Sequence, residues 1–287
     1  MKTSQNRVGA IAGATGFLGS VLARHYVSAG LDVILIGKDE AKLQNLKHEL
    51  ERNSKGDVII VTLDFEADYI SELSTTIGDF SEHIEFFIST IGNQNPISPT
   101  LLSGDYDWSK SIQANLILPV NLAKFFMTKF LKNGHGSAIL ASGGGAANPR
   151  ENFSAYASAK AGLVRFVETL AAEIDEFDVR INAIAPGVMP SKMMREVVEK
   201  SAASAGKAEV LKAINSLEDR RWDSRKVLSL CDFLVSDKSR GITGKLISAE
   251  WDKWSDWPEH IDQLRESDLY TLRRITGRDR GQTWGDI

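Results

Sequence analysis

A glycine-rich turn between an apolar strand and a helix, close to the start of the chain, limits the folds open to this sequence. The run Val8–Ala12 has the pattern of a buried strand, and a turn with the sequence Gly-Ala-Thr-Gly-Phe-Leu-Gly follows it directly. Gly13 permits a tight turn, Gly16 lets the backbone approach a pyrophosphate, and Gly19 lets the helix pack closely on the strand. The unbonded N–H groups at the start of the helix attract the same anion. The order of strand, glycine turn and helix therefore predicts a dinucleotide-binding unit.

Apolar strand patterns alternate with helical patterns along the rest of the chain. Further strands are predicted at Asp32–Ile36, Val58–Leu63, Ile84–Ser89, Ser137–Ala141, Val179–Ala185 and Gly241–Ser248. Their mostly apolar composition indicates a sheet that is covered on both faces. A long helical pattern runs from about Asp107 to Phe130. The alternation predicts an α/β fold, a doubly wound parallel sheet of the Rossmann type.

No linker, internal repeat or low-complexity segment interrupts this pattern, so we expect a single domain over residues 1–250. Residues of about 191–221 combine methionines, small residues and charges in short helical patterns, which predicts a flap over a substrate cleft. The last segment, 251–287, is rich in tryptophan and is predicted to be a C-terminal extension. Clustered tryptophans favour packing or a subunit contact, and a substrate-facing role is the alternative.

Composition and charge argue against several classes of function. The 287 residues carry a net charge of −4 with acidic and basic residues interspersed, so no broad basic surface indicates nucleic acid. The lone Cys231 cannot form an internal disulfide, and the histidines lack the spacing of metal ligands. No apolar run approaches the ~20 residues of a membrane-spanning helix, and no secretory pattern is present at the start. We therefore expect a cytoplasmic protein without a metal site, membrane contact or nucleic-acid partner.

The residues after the second strand bear on the choice of cofactor. An acidic residue at this corner usually receives the ribose 2′-hydroxyl of NAD. Gly37 and Lys38 occupy the corner instead, and a cation there suits the 2′-phosphate of NADP. Alternatively, Lys38 is a solvent-exposed residue beside the capping residue Asp39, and the cofactor is then NAD. Charge complementarity favours NADP.

A tyrosine and a lysine on one predicted helix form a candidate proton-transfer pair. Tyr156 and Lys160 are four residues apart and so share one helical face. A free tyrosine titrates near pH ~10, but a fixed positive charge nearby favours the phenolate and lowers its pKa. Lys160 would be that charge, and the small residues around it keep the helix slim enough for a bulky ligand to approach. A solvated surface pair is the alternative.

With these pieces in order, the chain resembles the short-chain dehydrogenase/reductase family over nearly its whole length, from the glycine turn to Ser248. The turn Ser89–Gly92 is similar to the family's Asn-Asn-Ala-Gly turn, and Asn182–Ser191 is similar to its segment along the nicotinamide. The resemblance implies a catalytic set made of Asn115, Ser142, Tyr156 and Lys160. It also implies cofactor contacts from Gly13, Thr15, Gly16, Phe17, Leu18, Gly19, Lys38, Asp64, Gly92, Tyr156, Lys160, Pro186, Gly187 and Ser191.

This resemblance implies an NADP-dependent oxidoreductase that moves a hydride between nicotinamide and a carbonyl or secondary alcohol. Tyr156 would exchange a proton with the substrate oxygen, Ser142 would hydrogen-bond that oxygen, and Lys160 would hold the nicotinamide ribose. Asn115 would hold a water that connects Lys160 to solvent, and Asp64 would contact the adenine. The resemblance also implies a homo-oligomer, a dimer or tetramer, built from the helices of Asn115 and Tyr156.

Departures from the family pattern leave alternatives open. The glycine spacing matches the extended branch of the family, whereas the Pro186-Gly187 segment and the late Gly241–Gly244 turn match the typical oxidoreductase branch. The usual spacing from serine to tyrosine ends at Gly143, so Ser142 would reach the site only through a loop one residue longer. A sugar or sugar-nucleotide substrate is a further hypothesis. The competing functions are a nucleotide-sugar epimerase or dehydratase that retains its cofactor, and a non-catalytic NADP-sensing regulator.

Overall fold

The computed structural model describes residues 7–52, 56–64, 67–200, 202–218 and 223–284. Parts of the predicted domain lie outside the described residues: 1–6, 53–55, 65–66, 201 and 219–222. Residues 201 and 219–221 belong to the predicted flap. The last residues of the predicted extension, 285–287, lie outside as well.

The described residues form a sheet of seven parallel strands. These are β1 (Val8–Ala12), β2 (Asp32–Gly37), β3 (Val58–Thr62), β4 (Ile84–Ser89), β5 (Gly136–Ala141), β6 (Val179–Ala185) and β7 (Leu246–Ser248). Their order is β3-β2-β1-β4-β5-β6-β7, and all neighbours are parallel. This confirms the predicted doubly wound α/β fold. Because the strand order reverses between β1 and β4, a crevice opens at the carboxyl ends of these two strands.

Helices cover both faces of the sheet. They are α1 (Phe17–Ser28), α2 (Glu40–Glu51), α3 (Tyr69–Ile77), α4 (Asp105–Ile112), α5 (Leu118–Asn133), α6 (Ser154–Glu173), α7 (Lys192–Glu199), α8 (Ala202–Ala205), α9 (Lys207–Glu218), α10 (Arg225–Val235) and α11 (Ile261–Glu266). The long helix predicted near 107–130 is interrupted, since a π-helical turn at Gln113–Ile117 joins α4 to α5. The last strand is shorter than predicted, because Gly241 and Gly244 adopt positive φ angles in the turn before it.

Apolar side chains form a core on each face of the sheet, and β4 contributes to both. Phe87 stacks on Phe126 of α5, with the ring centroids 4.4 Å apart. Phe86 contacts Tyr26 of α1 on the opposite face, with the centroids 4.7 Å apart. Adjacent residues of a strand point to opposite faces, so β4 anchors both helical layers. A Cβ on Gly9 of β1 would lie 2.1 Å from the Phe86 ring, which explains the glycine there.

The segment after β7 folds back along the edge of the sheet. The N–H of Leu246 donates to the carbonyl of Tyr270 at 2.8 Å, and the buried Nζ of Lys245 donates to the carbonyl of Leu264 at 2.6 Å. Trp257 is buried against Tyr270, with the ring centroids 4.2 Å apart. The tail therefore covers an edge strand that would otherwise present unpaired backbone groups.

Two negative findings concern only the described ranges. No helix there is long and apolar enough to cross a membrane. No three or more His, Cys, Asp or Glu side chains come together there as a group that could hold a metal ion. The division into a domain at 1–250 and an extension at 251–287 stays a prediction, as does the cytoplasmic location.

Candidate active site

The glycine turn joins β1 to α1 at the crevice. Gly13 has a φ of +75°, which favours glycine, and its N–H donates to the carbonyl of Ile36 at 2.9 Å. Gly16 is the exposed residue at the start of α1. A Cβ on Gly19 would lie 2.2 Å from the carbonyl oxygen of Gly13, so only glycine fits at that position. The turn therefore brings α1 close to the end of β1 and leaves the first backbone groups of the helix accessible.

A cavity of about 650 Å³ lies at the carboxyl ends of β1, β4, β5 and β6. It extends from the glycine turn to the predicted flap. The predicted site residues that line it are Gly16, Phe17, Leu18, Gly92, Ser142, Tyr156, Lys160, Pro186, Gly187 and Ser191. Gly13, Thr15 and Gly19 lie within the turn itself, beside this wall. The structure thus brings most of the predicted set to one cavity.

Two predicted cofactor contacts lie further out. Lys38 follows β2 and Asp64 follows β3, and both are exposed and lie outside the lining of the cavity. Asp39 is the N-cap of α2, where its carboxylate accepts a hydrogen bond from the N–H of Lys42 at 3.0 Å. The Lys42 ammonium also binds this carboxylate and lowers the pKa of Asp39. The carboxylate of Asp39 therefore already accepts hydrogen bonds from the first turn of α2.

Asn115 is fully buried in the π-helical turn behind the cavity. Its Oδ1 accepts a hydrogen bond from the N–H of Asn93 at 3.0 Å, and its Nδ2 donates to the carbonyl of Ser111 at 3.0 Å. Turns of this kind occur frequently at functional sites. A Cβ on Gly92 would lie 2.9 Å from Asn115 Oδ1 and 3.3 Å from Lys160 Nζ. Asn115 therefore fixes the loop after β4 next to Lys160.

Lys160 is a buried cation on α6. Its Nζ donates to the carbonyl of Ala141 at 2.8 Å and to that of Ile91 at 3.2 Å. These bonds join the ends of β4 and β5. Burial lowers the pKa of Lys160 to about 8. The Nζ atom lies 5.9 Å from the centre of the Tyr156 ring, on the same face of α6.

Tyr156 is buried, and burial raises the pKa of its phenol. The cation that acts against this rise is Arg150, whose guanidinium carbon lies 3.8 Å from the centre of the Phe153 ring and 5.7 Å from that of Tyr156. The expectation that Lys160 lowers the pKa of Tyr156 stays a prediction. In this structure the Lys160 ammonium donates to two backbone carbonyls, and burial lowers its own pKa.

An ion pair connects Arg150 to the predicted flap. Its Nε and Nη2 both donate to Oε2 of Glu209 on α9, at 2.9 and 2.6 Å. The two side chains are 15% and 22% exposed, so the pair is partly shielded from water. Val197 of α7 and Ala213 of α9 pack in one small core with Tyr156. Residues of α7 and α9 therefore line one side of the cavity, and their role as a flap stays a prediction.

Ser142 does not reach the phenol of Tyr156. Its N–H donates to the carbonyl of Ile184 at 2.7 Å, and its Oγ makes a long contact of 3.5 Å with the carbonyl oxygen of Lys160. Gly143 lies opposite the phenol instead, since a Cβ there would be 3.0 Å from the Tyr156 hydroxyl. Ser142 nevertheless lines the same cavity as Tyr156. Its hydrogen bond to the substrate oxygen stays a prediction.

Sequence reasoning missed two residues that line the cavity. Gln94 follows the turn at Gly92, and Arg150 lies in the loop before the Tyr156 helix. Both are close in sequence to a recognised motif, and this was the available signal. Gln94 and Arg150 belong to no sequence pattern with a known chemical role. Only the structure shows that they line the cavity.

Comparisons with known proteins identify the family of this chain. The family model for short chain dehydrogenases matches residues 7–202. The chain is 26% identical over 250 residues to the 3-oxoacyl-(acyl-carrier-protein) reductase FabG of Escherichia coli, and the match covers 85% of this chain and 95% of that protein.

Solved structures share the fold. A short chain dehydrogenase of Shigella flexneri complexed with NADP has a TM-score of 0.70 at 21% identity, over 85% of this chain and 97% of that chain. An actinorhodin polyketide ketoreductase with NADPH has a TM-score of 0.74 at 20% identity, over 86% of this chain and 97% of that chain. Because the family model spans more than half of the sequence, the chain belongs to the short-chain dehydrogenase/reductase family and is an NAD(P)-dependent oxidoreductase.

Proposed function

We propose that the protein is an NADP-dependent oxidoreductase that interconverts a carbonyl compound and the corresponding secondary alcohol. The observation that carries this proposal is that Tyr156 and Lys160 line the same cavity as the glycine turn. One cavity therefore joins a dinucleotide-binding turn to a proton donor. Reduction of a carbonyl group needs both, because hydride and proton must reach the two atoms of the same double bond.

The residues at the turn fit a dinucleotide. Gly19 has no room for a Cβ, and Gly16 is exposed where α1 begins. Backbone N–H groups at the start of a helix bind a pyrophosphate. Lys160, Gly187 and Ser191 at the other end of the cavity would hold the nicotinamide and its ribose. When bound, the nicotinamide supplies or accepts the hydride.

Tyr156 is the proposed proton donor in the direction of reduction. Because burial raises its pKa, the phenol is protonated at neutral pH and can donate to the substrate oxygen. Arg150 then stabilises the phenolate that remains. Lys160 and Asn115 position the loops after β4 and β5 around this group.

The preference for NADP rests on charge at the end of β2. Lys38 is exposed at this corner, while the two carboxylate oxygens of Asp39 accept hydrogen bonds from the N–H and the ammonium of Lys42. A cation that faces solvent beside the turn suits a 2′-phosphate. Two of the similar solved structures contain NADP or NADPH, which supports the same choice.

Two finer possibilities have a specific observation in their favour. Trp251 is 83% exposed and lines the cavity, so it offers a sugar substrate a surface for stacking. Gly143, which has no side chain, lies opposite the Tyr156 hydroxyl where the family pattern would end its serine spacing, and this favours a non-catalytic NADP sensor as the second candidate function. A dimer or tetramer and a cytoplasmic location complete the proposal.

The decisive experiment compares Tyr156→Phe with the unchanged protein across a panel of carbonyl compounds, following NADPH oxidation. Tyr26→Phe, a buried tyrosine outside the cavity, is the matched control. Loss of the Tyr156 proton donor should lower the rate by about 10²-fold or more, with NADPH still stabilising the fold in a thermal-shift assay. Equal rates for Tyr156→Phe would reject the proposal. NADPH binding without turnover of any carbonyl would favour the sensor, and cofactor retained through dialysis without net oxidation would favour an epimerase.

A further inference from the structure

Arg150 has hydrogen-bonding capacity that its partners within the protein do not use. An arginine side chain carries five N–H groups in a fixed plane. The Nε and Nη2 of Arg150 both donate to a single oxygen, Oε2 of Glu209. Its Nη1 donates to none of the described residues, and it is not among the buried side-chain atoms that lack a partner. The edge formed by Nη1 and the second N–H of Nη2 is therefore unpaired and accessible.

The guanidinium of Arg150 lies beside the proposed proton donor. Its central carbon is 5.7 Å from the centre of the Tyr156 ring and 3.8 Å from that of the Phe153 ring. Arg150, Glu209 and Tyr156 all line the same cavity. The side chain of Arg150 is 15% exposed, so its charge is only partly screened by water. A ligand that reaches Tyr156 therefore also comes close to the unpaired edge.

The charges of the described residues on this side of the cavity favour an anion. Lys192 lies 3.5 Å from Glu196, and these two charges balance each other. Glu209 is shared, because it binds Arg150 and its Oε1 also lies 3.9 Å from the Nζ of Lys212. Two cations and one carboxylate leave this group with one net positive charge. A single carboxylate from a ligand would balance that charge, whereas a phosphate monoester carries close to two negative charges.

The unpaired edge of Arg150 also has the shape that a carboxylate requires. The two oxygens of a carboxylate accept two parallel N–H bonds from one edge of a guanidinium. Such charge-assisted bonds are about twice as strong as those between neutral groups. A neutral ketone offers only its carbonyl oxygen, for which the phenol of Tyr156 is the proposed donor. A carboxylate elsewhere in the same molecule would leave both groups of the protein paired.

We propose that Arg150 binds a carboxylate group of the substrate, so that the enzyme acts on oxo acids and the corresponding hydroxy acids in preference to neutral ketones and alcohols. The inference rests on the proposed reaction of a carbonyl group at Tyr156. Arg150 is then a specificity residue, which holds the carboxylate while the carbonyl oxygen meets the phenol. Glu209 competes with the substrate for the same guanidinium and limits the affinity for the acid.

Binding rather than turnover provides the test. Oxo acids and their carboxamides, which are similar in size but uncharged, are titrated into the protein with saturating NADP⁺, which cannot reduce them. The pairs differ in the number of carbons between the carbonyl and the acid group. The variants are Arg150→Met and Glu209→Gln. Arg195→Met changes an exposed arginine of α7 outside the cavity lining and is the matched control. Melting temperatures of all four proteins are measured without ligand.

In at least one pair the unchanged protein should bind the acid about 10-fold or more tightly than the carboxamide. Arg150→Met should abolish this preference, because it removes the charge and the N–H groups. Arg195→Met should keep the preference. Glu209→Gln should enlarge it about 3-fold or more, since the competing carboxylate is gone.

Equal affinities, or no measurable binding, in every pair would overturn the inference. A preference that survives in Arg150→Met, or that does not rise in Glu209→Gln, would overturn it as well. If Arg150→Met melts well below the other proteins, the result for Glu209→Gln decides. Failure of the proposed function has a different signature, in which the acids bind in preference to the carboxamides but NADPH is not oxidised with any carbonyl compound.

Discussion

The buried ammonium of Lys160 should make the stability of this protein depend on pH in an unusual direction. Its pKa is about 8 in the folded protein, against an ordinary value of 10.5. Between these two values the unfolded chain binds more protons at Lys160 than the folded protein does. The free energy of unfolding therefore rises with pH in this window, because the cost of burying the charge disappears as the amine loses its proton.

The size of the effect follows from the two pKa values. The full shift corresponds to about 3 kcal/mol, reached only above pH 10.5. Between pH 7 and pH 9 the same two values give an increase of about 1 kcal/mol. Below pH 7 Lys160 is charged in both states and adds no further dependence on pH. The window from 7 to 9 is therefore the accessible part of the curve.

Denaturant unfolding of the unchanged protein and of Lys160→Met at pH 7 and pH 9 measures this term. Loss of the bonds to Ala141 and Ile91 affects the variant at both pH values, and other titrating groups are common to both proteins, so both contributions cancel in the double difference. The unchanged protein should gain about 1 kcal/mol relative to the variant between the two pH values. A double difference near zero, or of opposite sign, would refute the reasoning that burial dominates the titration of Lys160.

Three further substitutions test other parts of the site. Gly143→Ser should reduce carbonyl substrates about 10-fold faster than Gly143→Ala, since both add the same Cβ near the phenol but only serine adds a donor to the reacting oxygen; equal rates would contradict this. Arg150→Met should raise the pKa of Tyr156 and shift the pH profile of alcohol oxidation to higher pH; an unchanged profile would contradict this. Glu209→Gln weakens the hold on Arg150, so it should shift the profile in the same direction by a smaller amount. Lys38→Glu should weaken NADPH binding about 10-fold in a thermal-shift titration without weakening NADH binding. Weaker binding of both cofactors would instead indicate that the substitution disturbs the structure of this corner. Lys42→Gln is the control for such a disturbance.

The sheet could be predicted from sequence because its strands are apolar runs bounded by glycine and polar residues. β1, β4 and β6 have the predicted bounds, and β2 ends only one residue later. The sequence reading did not identify the π-helical turn in the predicted helix near 107–130, because the helical pattern continues on both sides of it. The course of the tail also had no local signal, since it depends on long-range bonds such as that of Lys245 to Leu264.

The positions of site residues could be predicted where a motif fixes the backbone. They could not be predicted where the path of a loop decides which way a side chain points. The glycine turn and the four-residue spacing of Tyr156 and Lys160 follow from local geometry, and both appear in the structure. The choice between Ser142 and Gly143 depended on the path of the loop after β5. In an extended segment successive residues point to opposite sides, so a difference of one position turns a hydroxyl away from the phenol.

Burial shifts the pKa values of Tyr156 and Lys160 in opposite directions, so the site needs a further positive charge near the phenol. Desolvation raises the pKa of the phenol and lowers that of the ammonium, so each group is driven toward its neutral form. A neutral phenol is a ready proton donor, but the phenolate left after the transfer needs a positive charge close by. Arg150 supplies one, and its Nε and Nη2 both bind Glu209 of α9, which lines the cavity. If α9 moved away from the cavity, this ion pair would break, and we expect the support for the phenolate to weaken with it.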